Sequence, residues 1–150
     1  MDVNGIIAAL ISMAQATGKF ENVQGAEFKN APGPGATAAL WFTDLEPAPD
    51  ASGQSSVTIR FAMTMRIYVP VVSEPSDAID PLVIAAAGAM FTALIGDFNL
   101  GGLIRNIDVF GAHGEKLHAL PGWLPFNDTK YRTIDILIPM LVNDEYDEVA

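Results

Sequence analysis

The sequence predicts an α+β fold: a mostly antiparallel sheet with a long central helix and an N-terminal helix packed on it. Three observations lead there. "SVTIRFAMTMRIYV" alternates apolar and polar residues at period two, "LVIAAAGAMFTALI" is a continuous apolar run of helical length, and "YRTIDILIPMLV" alternates again near the end. Helical and extended patterns are segregated rather than strictly alternating, which separates α+β from α/β. A chain of 150 residues has the size of one domain and can bury roughly two thirds of its unfolded surface in one core. No repeat, heptad stretch or second domain is visible, so residues 1–150 are read as a single domain.

Taken in order, Ile6, Ile7, Leu10, Ile11 and Ala14 recur at helical spacing and Gly18 follows as a stop, predicting a helix over residues 3 to 17. "KFENVQGAEFK" alternates weakly. "NAPGPGA", residues 30 to 36, is a loop because Pro32 and Pro34 cannot donate backbone hydrogen bonds, and "TAALWF" reads as a strand. From Asp44 to Ser56 acids, prolines and small polar residues dominate; with so little apolar surface to offset ordering entropy, an exposed mobile loop is expected at about 44–56.

Val57, Ile59, Phe61, Met63, Met65, Ile67 and Val69 share one face of the next strand, with Arg60, Thr64, Arg66 and Tyr68 on the other. A sheet covered on one side suits that pattern. Asp80 can cap the following helix, with Pro81 in its first turn. That helix should reach about Ile95, apolar nearly all round and buried against the sheet, with a neighbouring subunit as a further candidate partner. "LIRNIDVF" reads as a strand with mixed faces. A long excursion at about 111–129 follows, with a short strand around Leu117 as a candidate. In the last strand Ile134, Ile136, Ile138, Met140 and Val142 share one face, and Pro139 suggests an edge or a bulge.

Composition excludes several functions. Eighteen acids against eight bases give a net charge of −10, which disfavours binding to nucleic acid through counterion release. Charged residues make up 17% of the chain, below the roughly 25% usual for soluble domains, and that balance favours self-association. With no cysteine, disulfides and thiolate metal sites are excluded. The apolar N-terminal run follows Asp2 rather than a basic residue, unlike a secretory signal. The run from Leu82 to Ile95 falls short of the roughly 20 residues that span a bilayer, so the reading is of a soluble intracellular product.

Candidate chemistry is thin. A phosphate-cradling glycine loop lies after a strand and before a helix, whereas Gly101 and Gly102 follow a helix and precede a strand; they read as a helix stop and turn. His113, Glu115 and His118 lack the cysteine pair of a zinc deaminase, and the two histidines miss the one-turn spacing of zinc peptidases. No "GxSxG" elbow is present. Asp44 with Glu46 and Asp77 with Asp80 lie in loop-like stretches, and Asp144, Glu145, Asp147 and Glu148 read as a solvated tail without calcium-loop spacing. Trp41 and Trp123 suit either core or interface. No catalytic, cofactor or metal residue is assigned.

The stretches "VTIRFAMTMRIYVP", an apolar helix ending in "ALIGDFNLGGLIRNIDVFG", and "YRTIDILIPMLV" together resemble the tail terminator proteins of long-tailed (siphovirus-like) bacteriophages. The resemblance covers about residues 57 to 142 and carries one short motif, "LGG". It implies a small α+β subunit in a hexameric ring that caps the tail tube, stops its polymerisation and offers a head-joining surface. Its implied partners are further copies of itself, the tail tube protein and the head-tail connector protein. It implies a virion tail component assembled in the host cytoplasm, with no enzyme activity, no cofactor and no membrane. DNA would pass through the channel without specific binding: six copies of charge −10 sum to roughly −60, and acids facing a lumen repel phosphate. Arg60, Arg66, Arg105 and Arg132 are the candidate subunit-interface residues, because strand-borne arginines are scarce and acidic partners plentiful; solvated surface is their alternative. The function alternatives are another head-tail joining or tail-tube component, and a small α+β ligand-binding protein or enzyme.

Overall fold

The first helix, α1 (Val3–Ala16), starts where the Asp2 carboxylate accepts the Gly5 amide at 2.9 Å, satisfying one of the orphan donors of its first turn. It ends where the Thr17 hydroxyl donates to the Ala14 carbonyl at 2.6 Å and Gly18 turns the chain at φ +70°. In this computed structural model the described residues are 1–48, 56–73, 75–126 and 128–147, with the backbone alone at 56, 73 and 144–147.

Six strands follow in one sheet: β1 (Asn22–Gln24), β2 (Thr37–Pro47), β3 (Ser56–Pro70), β4 (Asn106–Ile107), β5 (His118–Phe126) and β6 (Thr129–Asp147), with the second helix, α2 (Ile79–Gly96), between β3 and β4. The order is β1-β2-β3-β6-β4, with β5 also paired to β6. All pairings are antiparallel except β1 with β2. The predicted α+β class and helix arrangement hold.

Register explains the main core. Met63 lies opposite Ile138, Met65 opposite Ile136 and Ile67 opposite Ile134, so the alternating faces of β3 and β6 merge into one apolar surface. Ile6, Leu10 and Ala14 of α1, and Val83, Ala86, Met90 and Leu94 of α2, pack onto it. By length and composition α2 would also suffice to cross a bilayer, a test that core helices pass as well; 33% of it is buried within the chain.

Several local expectations need correction. Residues 44–47 are strand rather than mobile loop, because pairing with β3 through a shift between Phe42 and Asp44 supplies the backbone hydrogen bonds. Residues 49–55 of that expected loop lie outside the described residues. Asp80 sits in the first turn of α2 and does not cap it; the cap position is Ala78. The strand expected from "LIRNIDVF" shrinks to Asn106–Ile107, since Gly101 and Gly102 adopt positive φ and Val109 turns back onto the Ile107 carbonyl at 2.9 Å. The excursion at about 111–129 holds the nine-residue β5. The acidic tail extends β6, with Asp147 opposite Ser56, and Glu148 lies outside the described residues. Pro139 occupies a central strand, not an edge. It sits where the outer neighbour of β6 changes from β5, ending at Leu137, to β4, starting at Met140, so its missing N–H interrupts little of either ladder.

The sheet's second face is also largely covered, against the expectation of one bare side. Ala39, Tyr68 and Tyr131 form a smaller cluster there with Phe28, Trp41, Leu124 and Phe126 around it. Tyr131 donates its hydroxyl to the Pro32 carbonyl at 2.7 Å. Burial pushes both phenols above the usual value, opposed at Tyr68 by the Arg66 guanidinium. Because the fold favours the neutral phenols, this contribution is complete below the unfolded tyrosine value, about pH 10, and is lost as pH rises through the folded values. Urea midpoints are expected to stay level toward pH 9 and to fall above 10. In Tyr131→Phe that alkaline fall should be shallower, at a cost of about 1 kcal/mol at neutral pH.

Candidate functional site

The four candidate interface arginines do not converge. Each of them has a partner inside the chain. Arg66 faces Asp135 across the β3–β6 register and donates to it from Nε at 2.7 Å and Nη2 at 2.9 Å. This fork-to-fork pair holds the guanidinium above its usual value, chiefly through the hydrogen bond to Asp135. Trp41 stacks on the same guanidinium at 5.0 Å. Arg132, on the helix side of β6, donates to Asp80 at 2.9 Å and to the Gly122 carbonyl at 3.2 Å. Arg105, exposed beside β4, reaches the Asn143 side chain at 3.4 Å.

Arg60 departs furthest from expectation. It is 3% exposed and lies on the second face of the sheet, where charged residues are rarely buried without a partner. Its Nε lies 3.7 Å from the Asp108 carboxylate, and its Nη2 donates to the Glu115 carbonyl. Asp108 is equally buried. Its two oxygens accept the amides of Ala112 at 2.8 Å and His113 at 3.0 Å, while Gly111 bonds back to its carbonyl at 3.2 Å. A Cβ on Gly114 would lie 2.6 Å from Arg60 Cζ, and one on Gly111 would lie 2.6 Å from the Gly114 carbonyl oxygen. Both glycines are therefore required for the turn to close over the guanidinium. The side chain that this turn presents is Phe110, 92% exposed.

Two further surfaces complete the picture. Trp123, 52% exposed on β5, lies between Arg132 at 4.4 Å and Lys130 at 4.6 Å, a stacked cation pair at the sheet's rim. Neither tryptophan belongs to the main core. Between α1 and α2 runs an open apolar groove of about 650 Å³, lined in part by Ala9, Met13, Ala89 and Ala93. The outward side of α2 carries Ile84 and Ile95, 64% and 52% exposed, and the chain has no charged residue from Pro81 to Gly96.

His118 lies 3.8 Å from Glu115, while His113 contributes its backbone amide to the Asp108 turn. Among the described residues no group of three or more His, Asp or Glu could hold a metal ion. Asp44 and Glu46 are exposed along β2.

The sequence reading overlooked Asp108, Asp135 and Asp80 as arginine partners, and it overlooked Phe110. Asp135 was within reach of the pattern: it is the polar residue between Ile134 and Ile136, and pairing β3 with β6 sets it against Arg66. Phe110 carries no periodic signal. Neither protein-family models nor curated proteins match the chain.

Proposed function

We propose that this protein is a phage tail terminator, a ring-forming subunit that caps the tail tube, stops its growth and presents a surface to the head connector. The observation that carries the reading is the outward side of α2, apolar and uncharged over residues 81–96 in a chain of net charge −10. An acidic chain that leaves its longest helix apolar toward solvent is suited to association with other copies. The resemblance over residues 57 to 142 supports it as well: a long strand, an apolar helix ending near "LGG", and a last strand that pairs with the first of them, although here that last strand is central in the sheet.

The mechanism is steric. One face of the ring pairs with the open end of the tube, and the opposite face lacks the surface that recruits another tube subunit. With Arg66 and Arg132 held by Asp135 and Asp80 and Arg60 buried, these three stiffen the subunit and apolar contacts carry most of the joint, while Arg105, exposed beside β4, stays a candidate interface residue.

Deleting the coding sequence is expected to leave tails of uncontrolled length that fail to join heads; tails of normal length that join heads would refute the assignment. Electron microscopy of concentrated protein separates the neighbouring reading of a tube component, since single rings favour termination and continuous tubes favour a tube subunit. The groove between α1 and α2 keeps a ligand-binding reading in view. Native mass spectrometry showing a stoichiometric small molecule would favour it.

A further inference from the structure

We propose that copies of this chain associate head to tail, with Phe110 of one copy seated in the α1–α2 groove of the next. This rests on the ring reading above and deepens it by naming the two surfaces that meet.

The first observation is how Phe110 is held. A phenylalanine 92% exposed on a slack loop would be unremarked, but this one caps a turn closed by Asp108, which accepts two amides and lies against the buried Arg60. Burying an ion pair costs desolvation and is weak support for stability alone. Its effect here is to fix the position of the turn, so seating the ring in a partner needs no loop ordering and removes on the order of 150–250 Å² from water.

The second observation is the groove. Ala9, Ala16, Ala89 and Ala93 have short side chains and leave a hollow of about 650 Å³ between the helices, room enough for an aromatic ring. Phe110 lies on the other flank of α2, beside Phe91 and Ile95. At 3.6 residues per turn, Phe91 and Ala93 point to nearly opposite sides of the helix. Knob and groove thus occupy opposite flanks of one element, the arrangement of a heterologous contact, which closes as a ring or continues as a filament.

The third observation selects a second copy as occupant. Two chains of charge −10 repel, yet no charged residue occurs from Val3 to Ala16 or from Pro81 to Gly96, and Asp97, the charged residue in the groove's lining, meets a flank that carries Lys116 beside Phe110, so copies can approach through the helix layer without setting like charges together. A basic partner would be drawn to the acids elsewhere instead. Helices of 14 and 18 residues are about 21 and 27 Å long, giving a footprint on the order of 500 Å². A standard interface takes about 800 Å² per partner, so a single joint of this size is weak and forms at high protein concentration or where closure of a ring reinforces it.

The chain has no cysteine, so single cysteines can be placed cleanly. Ala112→Cys beside the knob and Ala93→Cys in the groove, mixed as separate concentrated proteins and treated with a short bismaleimide, should yield mainly the mixed dimer. Adding Phe110→Ser to the Ala112→Cys chain should lower that yield at least about tenfold while leaving its urea midpoint unchanged. Absence of the mixed product, or a dominant Ala93→Cys homodimer, overturns the contact. Rings seen by microscopy without the mixed product would sink the contact and spare the ring. A mixed product from a protein whose deletion leaves tails normal would do the reverse.

Discussion

Asp108→Ala is expected to lower folding stability by about 3–5 kcal/mol, because it leaves the Arg60 guanidinium buried without its counter-charge. The loss has two parts. Arg60 is 3% exposed and cannot turn out to water while the 108–115 segment covers it, and the amides of Ala112 and His113 lose the acceptors that close the turn. Urea denaturation at neutral pH measures the sum. Replacing both partners by apolar residues, Arg60→Met with Asp108→Leu, should recover part of the loss, since no bare charge then remains inside. Equal stability for the single and double variants would show that the pair matters only through the turn amides.

Leu94→Ala is expected to cost about 2–5 kcal/mol, whereas Ile95→Ser, one residue on, should stay within about 0.5 kcal/mol of the wild type. Leu94 is fully buried between α2 and the sheet, while Ile95 is 52% exposed. The pair therefore separates the two sides of α2 in one experiment. Denaturation midpoints of the two variants give the comparison, and a large loss for Ile95→Ser would mean that the outward side of α2 is covered within the isolated chain. Under the proposed contact, Ile95→Ser should act on association and leave folding alone.

Legibility in the sequence followed periodicity. The faces of β3 and β6 were readable because alternation encodes burial directly: the seven odd positions from Val57 to Val69 and the even positions from Ile134 to Val142 meet the helices as their pattern requires. β5 was largely hidden because Pro121, Gly122 and Pro125 interrupt it, and its pairing with β6 overrides their poor strand propensity. The strand over Asp44–Pro47 was missed for a similar reason, its composition being that of a loop while its hydrogen bonds come from β3. Arg60 was placed on a surface because the turn that buries it comes 48 residues later at Asp108, a distance over which local pattern carries no information. The same limit hid Asp80, which meets Arg132 only after the sheet has assembled.

Pro121 and Pro125 set a limit on how this molecule can stick to itself. Among the described residues β5 has β6 as its one ladder neighbour, and neither proline can offer an N–H to an incoming strand. Fibrillar stacking through that rim is thus discouraged even when the chain is crowded.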